Sequence, residues 1–162
     1  MSKWMLWPAL LVTLSGTAAG ADGALTVSDA WVREAPPGVP VNAAYFTIRN
    51  DDDATHVLSG AASPQFARAE FHASRVTGGR VRMQRMENLE VPPHGSLSFA
   101  PGDYHLMLID PHRPLKAGDR VELTLEFKDA PAVTVQAPVG SGEAAADMPH
   151  QGAAAHHHMG GM

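Results

Sequence analysis

The chain has 162 residues, the size of one ordinary domain, with a formal net charge of −5 at pH 7 and no cysteine. A mildly acidic chain is a poor partner for nucleic acid. Without cysteine there is no disulfide framework, no thiol nucleophile and no thiolate metal ligand.

The N-terminal stretch Met1–Ala21 carries one cation, Lys3, then an apolar run from Trp4 to Leu14, then small residues ending Ala19-Gly20-Ala21. This reads as a secretory signal, with Ala19 and Ala21 flanking the cut, and so predicts an exported protein. Removing 21 of the 162 residues leaves 141, enough for one hydrophobic core, and the loss of Lys3 takes the net charge from −5 to −6. No later apolar run approaches the roughly 20 residues of a membrane span.

The expected domain covers residues 22–139. Ala24–Trp31 alternates like a strand, and Glu34–Pro40 is a Pro/Gly-rich loop. Val41–Arg49 is a second strand, stopped by Asn50 and by Asp51–Asp53, which reads as a solvated turn. Further strands are expected at His56–Ala61, Ala67–Val76, Val81–Met86, Leu97–Ala100, Tyr104–Asp110, Val121–Phe127 and Ala132–Ala137. Gly and Pro clusters separate them, and Gly78-Gly79 is the clearest tight hairpin. Many short strands with regular turns and no helical period predict an all-β sandwich or barrel. From Gly140 the pattern stops. Residues 140–162 are Gly/Ala-rich, without Lys or Arg, and read as a disordered tail.

The chain holds 9 His and 8 Met, of which Met1 and Met5 fall in the signal. Imidazole and thioether without thiolate point toward copper, because soft thioethers favour Cu(I). In a strand, side chains alternate between faces. Tyr104, Leu106 and Leu108 then share a core face, and His105 and Met107 share the opposite, outward one. Likewise Phe71 faces the core with Ala69 and Ala73, while His72 faces outward with Glu70. Beyond the Gly78-Gly79 hairpin, either Met83 or Met86 could swing toward His72, and alternation does not choose between them. The tail adds Met148, His150, His156, His157, His158, Met159 and Met162, which read as a second, looser metal site rather than a purification tag.

The sequence resembles the PCu(A)C-type periplasmic copper chaperones. Their motif is a His, ten residues, a Met, twenty-one residues, then His-x-Met, and His72, Met83, His105 and Met107 match both gaps. The resemblance runs from about Leu25 to Val139. It includes Asp29–Arg33 (DAWVR), Pro36-Pro37-Gly38, Ala44–Asn50 (AYFTIRN), Pro101–Leu108 (PGDYHLML) and Pro114–Asp119 (PLKAGD). It implies a cupredoxin-like Greek-key β-sandwich, Cu(I) held at the surface, and delivery toward the binuclear copper-A site of cytochrome c oxidase or another copper assembly protein. It also selects Met83 over Met86. Two imidazoles and two thioethers form a neutral, soft set that suits Cu(I) over Zn(II).

Arg75, Arg80, Arg82 and Arg85 surround the hairpin in an otherwise acidic chain, either as ordinary solvated cations or as a rim that orients an acidic partner. His56, His94 and His112 lie in or near loops without a paired Met and are expected at the surface. No nucleophile elbow or Gly-rich phosphate loop frames the Ser, His and Asp residues, which argues against a hydrolase or nucleotide enzyme. The expectation is a non-enzymatic Cu(I) carrier whose tail also binds Cu(II). The rivals are a copper-sequestering protein without a dedicated acceptor, a blue-copper-like electron carrier, which the missing cysteine disfavours, and a plain β-sandwich interaction module.

Overall fold

The computed structural model describes residues 23–141. They form ten strands and no helix: β1 (Leu25–Arg33), β2 (Val41–Asn50), β3 (His56–Ala62), β4 (Phe66–Thr77), β5 (Arg80–Met86), β6 (Leu89–Val91), β7 (Ser96–Phe99), β8 (Tyr104–Pro111), β9 (Arg120–Phe127) and β10 (Val133–Gly140). The all-β sandwich expected from the alternation is the observed architecture. Residues 1–21, expected to be a signal, and the His and Met residues of the expected tail lie outside the described residues.

The strands run β5-β4-β8-β2-β1-β10-β9-β3-β6, with β7 attached to β2. Every pairing is antiparallel except β1 with β10, which joins the two halves. The sheet curls so that β3 packs against β4. Inward residues of both halves then share one core, including Phe46, Ile48, Leu106 and Leu108 from one and Leu58, Leu123 and Leu125 from the other. Each such side chain contributes about 1.5–3 kcal/mol when fully buried. Phe99 stacks on Phe46 at 4.3 Å between centroids and leans on Phe71 at 5.7 Å, tying β7 to the interior.

Two features pin the ends of the fold, and the first positions the site. Gly78 and Gly79 have φ of +59° and +74°, the pair of positive values a two-residue type I′ hairpin needs. They lock β4 to β5 in a single register. The second feature lies at the other end of the fold, where buried Asn50 donates to the carbonyls of Ala54, Val91 and Pro92 and accepts from the amide of Asp52. This knot fixes the Asp51–Asp53 turn.

The structure adds one strand to the sequence reading. β6 is only three residues long, too short for a periodic signal, and it exists because Leu89 and Val91 are buried against β3. β10 extends through Gly140, one residue past the expected domain end, because Gly140 continues the parallel pairing with Arg33.

Candidate metal centre

Three strands bring the four core candidates to one face. On β8, Leu106 and Leu108 are fully buried in the core while His105 and Met107 point the other way. On β4, Phe71 and Ala73 are core while Glu70 and His72 face away from it. Register then joins the two sets: His72 sits directly opposite His105, and Glu70 opposite Met107. Directly opposed residues share a face with Cβ atoms about 4.5–5.5 Å apart. The imidazole centroids are 5.8 Å apart.

The same rule separates Met83 from Met86. Met83 opposes Ser74, two residues from His72, and so joins the His72 face. Met86 opposes Phe71 and packs against the hydrophobic core. Alternation within one strand left both open; the hairpin register makes them inequivalent.

Each imidazole has one nitrogen engaged and one unengaged. Nδ1 of His105 is 3.3 Å from the carbonyl oxygen of Asp103. A carbonyl only accepts, so Nδ1 carries the hydrogen and Nε2 keeps a lone pair. Nε2 of His72 is 3.1 Å from Oε2 of Glu70, so there the hydrogen is on Nε2. Nδ1 of His72 is buried and has no hydrogen-bond partner. An orphaned buried nitrogen is costly in water-free surroundings and is what a cation would satisfy. The hydrogen bond from His72, helped by the charge of Arg85, holds the Glu70 carboxyl below its ordinary range. Glu70 therefore stays ionised, with Arg85 at 3.3 Å on its other oxygen.

Exposure rises steadily across the set. His105 is buried at 6 %, His72 and Met107 are half-buried, and Met83 is 62 % exposed. His105 was expected outward; it does leave the core, but it is covered. An open groove of about 470 Å³ runs over this face, lined by Arg33, Glu34, Tyr45, Met83, His105 and Met107 among others, with Pro101 and Gly102 at its side. His72 stands next to the groove rather than in its lining.

Residues 25–139 match the LpqE-like family, described as "Putative lipoprotein LpqE-like". The chain belongs to this PCuAC-type family. Among solved structures, the copper-bound PCuAC domain from PmoF2 is 27 % identical with a TM-score of 0.62, over 72 % of this chain and 92 % of that one. The solution structure of CuI-DR1885 from Deinococcus radiodurans is 30 % identical with a TM-score of 0.58, over 78 % of this chain and 83 % of that one. A relative from Leifsonia xyli subsp. xyli, "Putative lipoprotein Lxx21020", is 33 % identical over 120 residues, 74 % of this chain and 70 % of its own length.

Within the LpqE-like fold, the remaining expectations fare differently. His94 and His112 are exposed, as expected. His56 is not a surface residue: it opens β3 and is only 7 % exposed. Its Nε2 is 3.1 Å from Asp52 Oδ2, and its Nδ1 lies 3.4 Å from Asp129 Oδ1, an ion-pair distance outside good hydrogen-bond geometry. Asp129 is far away in sequence, so nothing local announces the enclosure. Met148, His150, His156, His157, His158, Met159 and Met162 lie outside the described residues. The sequence places Glu70 on the strand face of His72 but does not show its carboxylate hydrogen-bonded to the ring, which the structure does. The i, i+2 spacing of a carboxylate and a histidine in one strand is the signal that finds it.

Proposed function

We propose that this protein is a non-enzymatic periplasmic carrier of Cu(I), with His72, Met83, His105 and Met107 as the ligands. The observation that carries this reading is the co-facial set itself: two imidazoles, each with a hydrogen on one nitrogen and a lone pair on the other, beside two thioethers. Among the described residues, no group of three or more His, Cys, Asp or Glu is arranged to hold a metal ion. Two neutral imidazoles and two thioethers make a soft, uncharged donor set, which favours Cu(I) over metals that prefer carboxylate or thiolate. Copper is the cargo. A site graded from buried His105 to exposed Met83 lets an acceptor's ligands displace the outer thioether first.

The acceptor we propose is the copper-A subunit of cytochrome c oxidase or another copper assembly protein. The signal-like Met1–Ala21 segment and the lipoprotein name of the Leifsonia relative support an extracytoplasmic location. Among the described residues no helix is long and apolar enough to cross a membrane. The tail residues Met148, His150, His156, His157, His158, Met159 and Met162 form a second site that takes Cu(II) through imidazole. Their abundance also favours a second reading, a copper-sequestering protein without a dedicated acceptor.

The test is anaerobic mixing of the Cu(I)-loaded protein with an apo copper-A domain, followed by NMR of both partners. Transfer of one Cu(I) supports the carrier. Retention of copper by a protein that binds it through these four residues supports sequestration. Unchanged Cu(I) affinity in both His105→Ala and Met107→Leu overturns the site assignment.

A further inference from the structure

The β4–β5 hairpin outruns the sheet that carries it. Pairing of β4 with β8 ends at Ala73 with Tyr104, whereas β4 and β5 remain paired to Thr77 with Arg80. Residues Ser74–Met83 are thus a two-stranded ribbon projecting from the edge, with β5 the outermost strand. A two-stranded ribbon is marginal in water by itself. Its two faces differ. Val76 opposes Val81 on the same face as Met83, and these are 75 %, 67 % and 62 % exposed, three of the four large hydrophobics exposed in the described chain. On the reverse face Arg75 opposes Arg82 directly, with Arg80 one pair further out.

Neither face is explained by contacts among the described residues. Like charges directly opposite destabilise a strand pair. Arg75, Arg80 and Arg82 make no ion pair or side-chain hydrogen bond among the described residues, while Arg49, Arg68, Arg85 and Arg113 do. From Phe71 to Met86 there are four arginines and no carboxylate, in a chain whose net charge is −5. Outside this segment carboxylates outnumber cations. Arginine on an edge strand also blocks unwanted strand addition, but that needs no arginine on β4 and no exposed valine pair.

We propose that this ribbon is the docking element for an acidic partner protein: its Val76–Val81–Met83 face meets an apolar patch beside the partner's metal-accepting groups, and Arg75, Arg80 and Arg82 engage a carboxylate rim. The proposal rests on the carrier reading and deepens it by naming where the acceptor binds. Two facts favour a folded acidic protein over other occupants. The apolar stripe is continuous with Met83, the exposed end of the metal face, so an occupant there reaches the site. A second copy would set one arginine cluster against another.

The test uses the full mature chain. The double variant Arg75→Glu/Arg82→Glu replaces one like-charged pair by another, so the melting temperature should hold. Cu(I) affinity, measured by competition with bicinchoninate, should also be that of the parent. The second-order rate of Cu(I) transfer to an apo copper-A domain should fall about 10-fold or more at low salt, because rim charges act mainly on association. Val76→Ser/Val81→Ser should slow transfer at all salt concentrations. Parent-like transfer rates in both variants, with affinity intact, overturn the docking element and leave the carrier standing. If the parent does not load the copper-A domain, delivery to that acceptor fails, and an acceptor-free titration decides the docking element. In that titration a capped Glu-Val-Glu-Val-Glu peptide should shift NMR signals of residues 74–83 in the parent and not in the arginine variant. Shifts spread over Arg113, Lys116 and Arg120, or surviving in the variant, contradict the proposal. So does co-sedimentation with phosphatidylglycerol vesicles that the arginine variant abolishes, which would assign the ribbon to a membrane surface. A dimer dissolved by Val76→Ser/Val81→Ser would assign it to a second copy and contradict the proposal equally.

Discussion

His56 and the pair His72–His105 are all withdrawn from solvent, yet their surroundings differ. Around His56 both ring nitrogens face a carboxylate, Asp52 on one side and Asp129 on the other. Asn50 saturates the neighbouring backbone through four hydrogen bonds. Around His72 and His105 one nitrogen of each ring meets an acceptor and the other meets none. Burial alone therefore does not mark a ligand. Nδ1 of His56 and Nδ1 of His72 both lack a hydrogen bond; what separates the two rings is their company, a carboxylate 3.4 Å from Nδ1 of His56 against a second imidazole and two thioethers on the face of His72.

The largest way to break this contrast is to remove donors. His72→Ala/His105→Ala should weaken Cu(I) binding by at least about 100-fold in a competition titration, because a soft two-thioether remainder has no imidazole. His56→Gln should leave that affinity unchanged.

The next effect tests orientation rather than ligation. Glu70→Gln keeps the shape but weakens the hold on the His72 Nε2–H. Loss of a supporting carboxylate typically costs about 10–100-fold in metal affinity, and a loss within that range is expected here. The imidazole N–H signal of His72 in NMR should broaden in the variant as the ring loses its partner.

At the other pole, Asn50→Ala should destabilise the fold by about 1–3 kcal/mol, since it strips buried carbonyls of their donor. A chemical denaturation curve measures it, with Cu(I) affinity of the remaining folded protein unaltered.

The smallest effect is a pH profile. The hydrogen bond with His56 first, then backbone amides, hold Asp52 below its ordinary value; the Val57 amide and then His56 do so for Asp129. A carboxyl with a depressed folded pKa stabilises the fold above its unfolded pKa near 3.8, and that stabilisation is lost as pH falls through the lower folded value. The melting temperature should therefore drop on acidification below about pH 4. Asp52→Asn should show a shallower drop, and an identical slope would mean Asp52 contributes nothing to acid stability.

Much of this molecule is legible from sequence because its strands are amphipathic. The alternation of Tyr104–Leu108 places His105 and Met107 on one face, and Gly78-Gly79 announces the hairpin. Properties that depend on pairing between strands are not legible. The choice between Met83 and Met86 needs the register that sets Met86 against Phe71. His105 shares its groove with residues of β1, β2 and the Pro101-Gly102 turn, which the alternation of one strand does not announce. The burial of His56 needs Asp129, which reaches it only after β9 has returned along β3. β6 is missed for a different reason: three residues carry no period.

The central claim is that Met83, His105, Met107 and His72 form one Cu(I) centre on a shared sheet face. X-ray absorption of the Cu(I)-loaded protein ending at Ser141, which removes the tail sulfurs, tests it most directly. Two sulfur and two nitrogen scatterers are expected in the parent and in Met86→Leu, and a single sulfur in Met83→Leu. A sulfur count that is insensitive to Met83→Leu, or that falls in Met86→Leu, would contradict it.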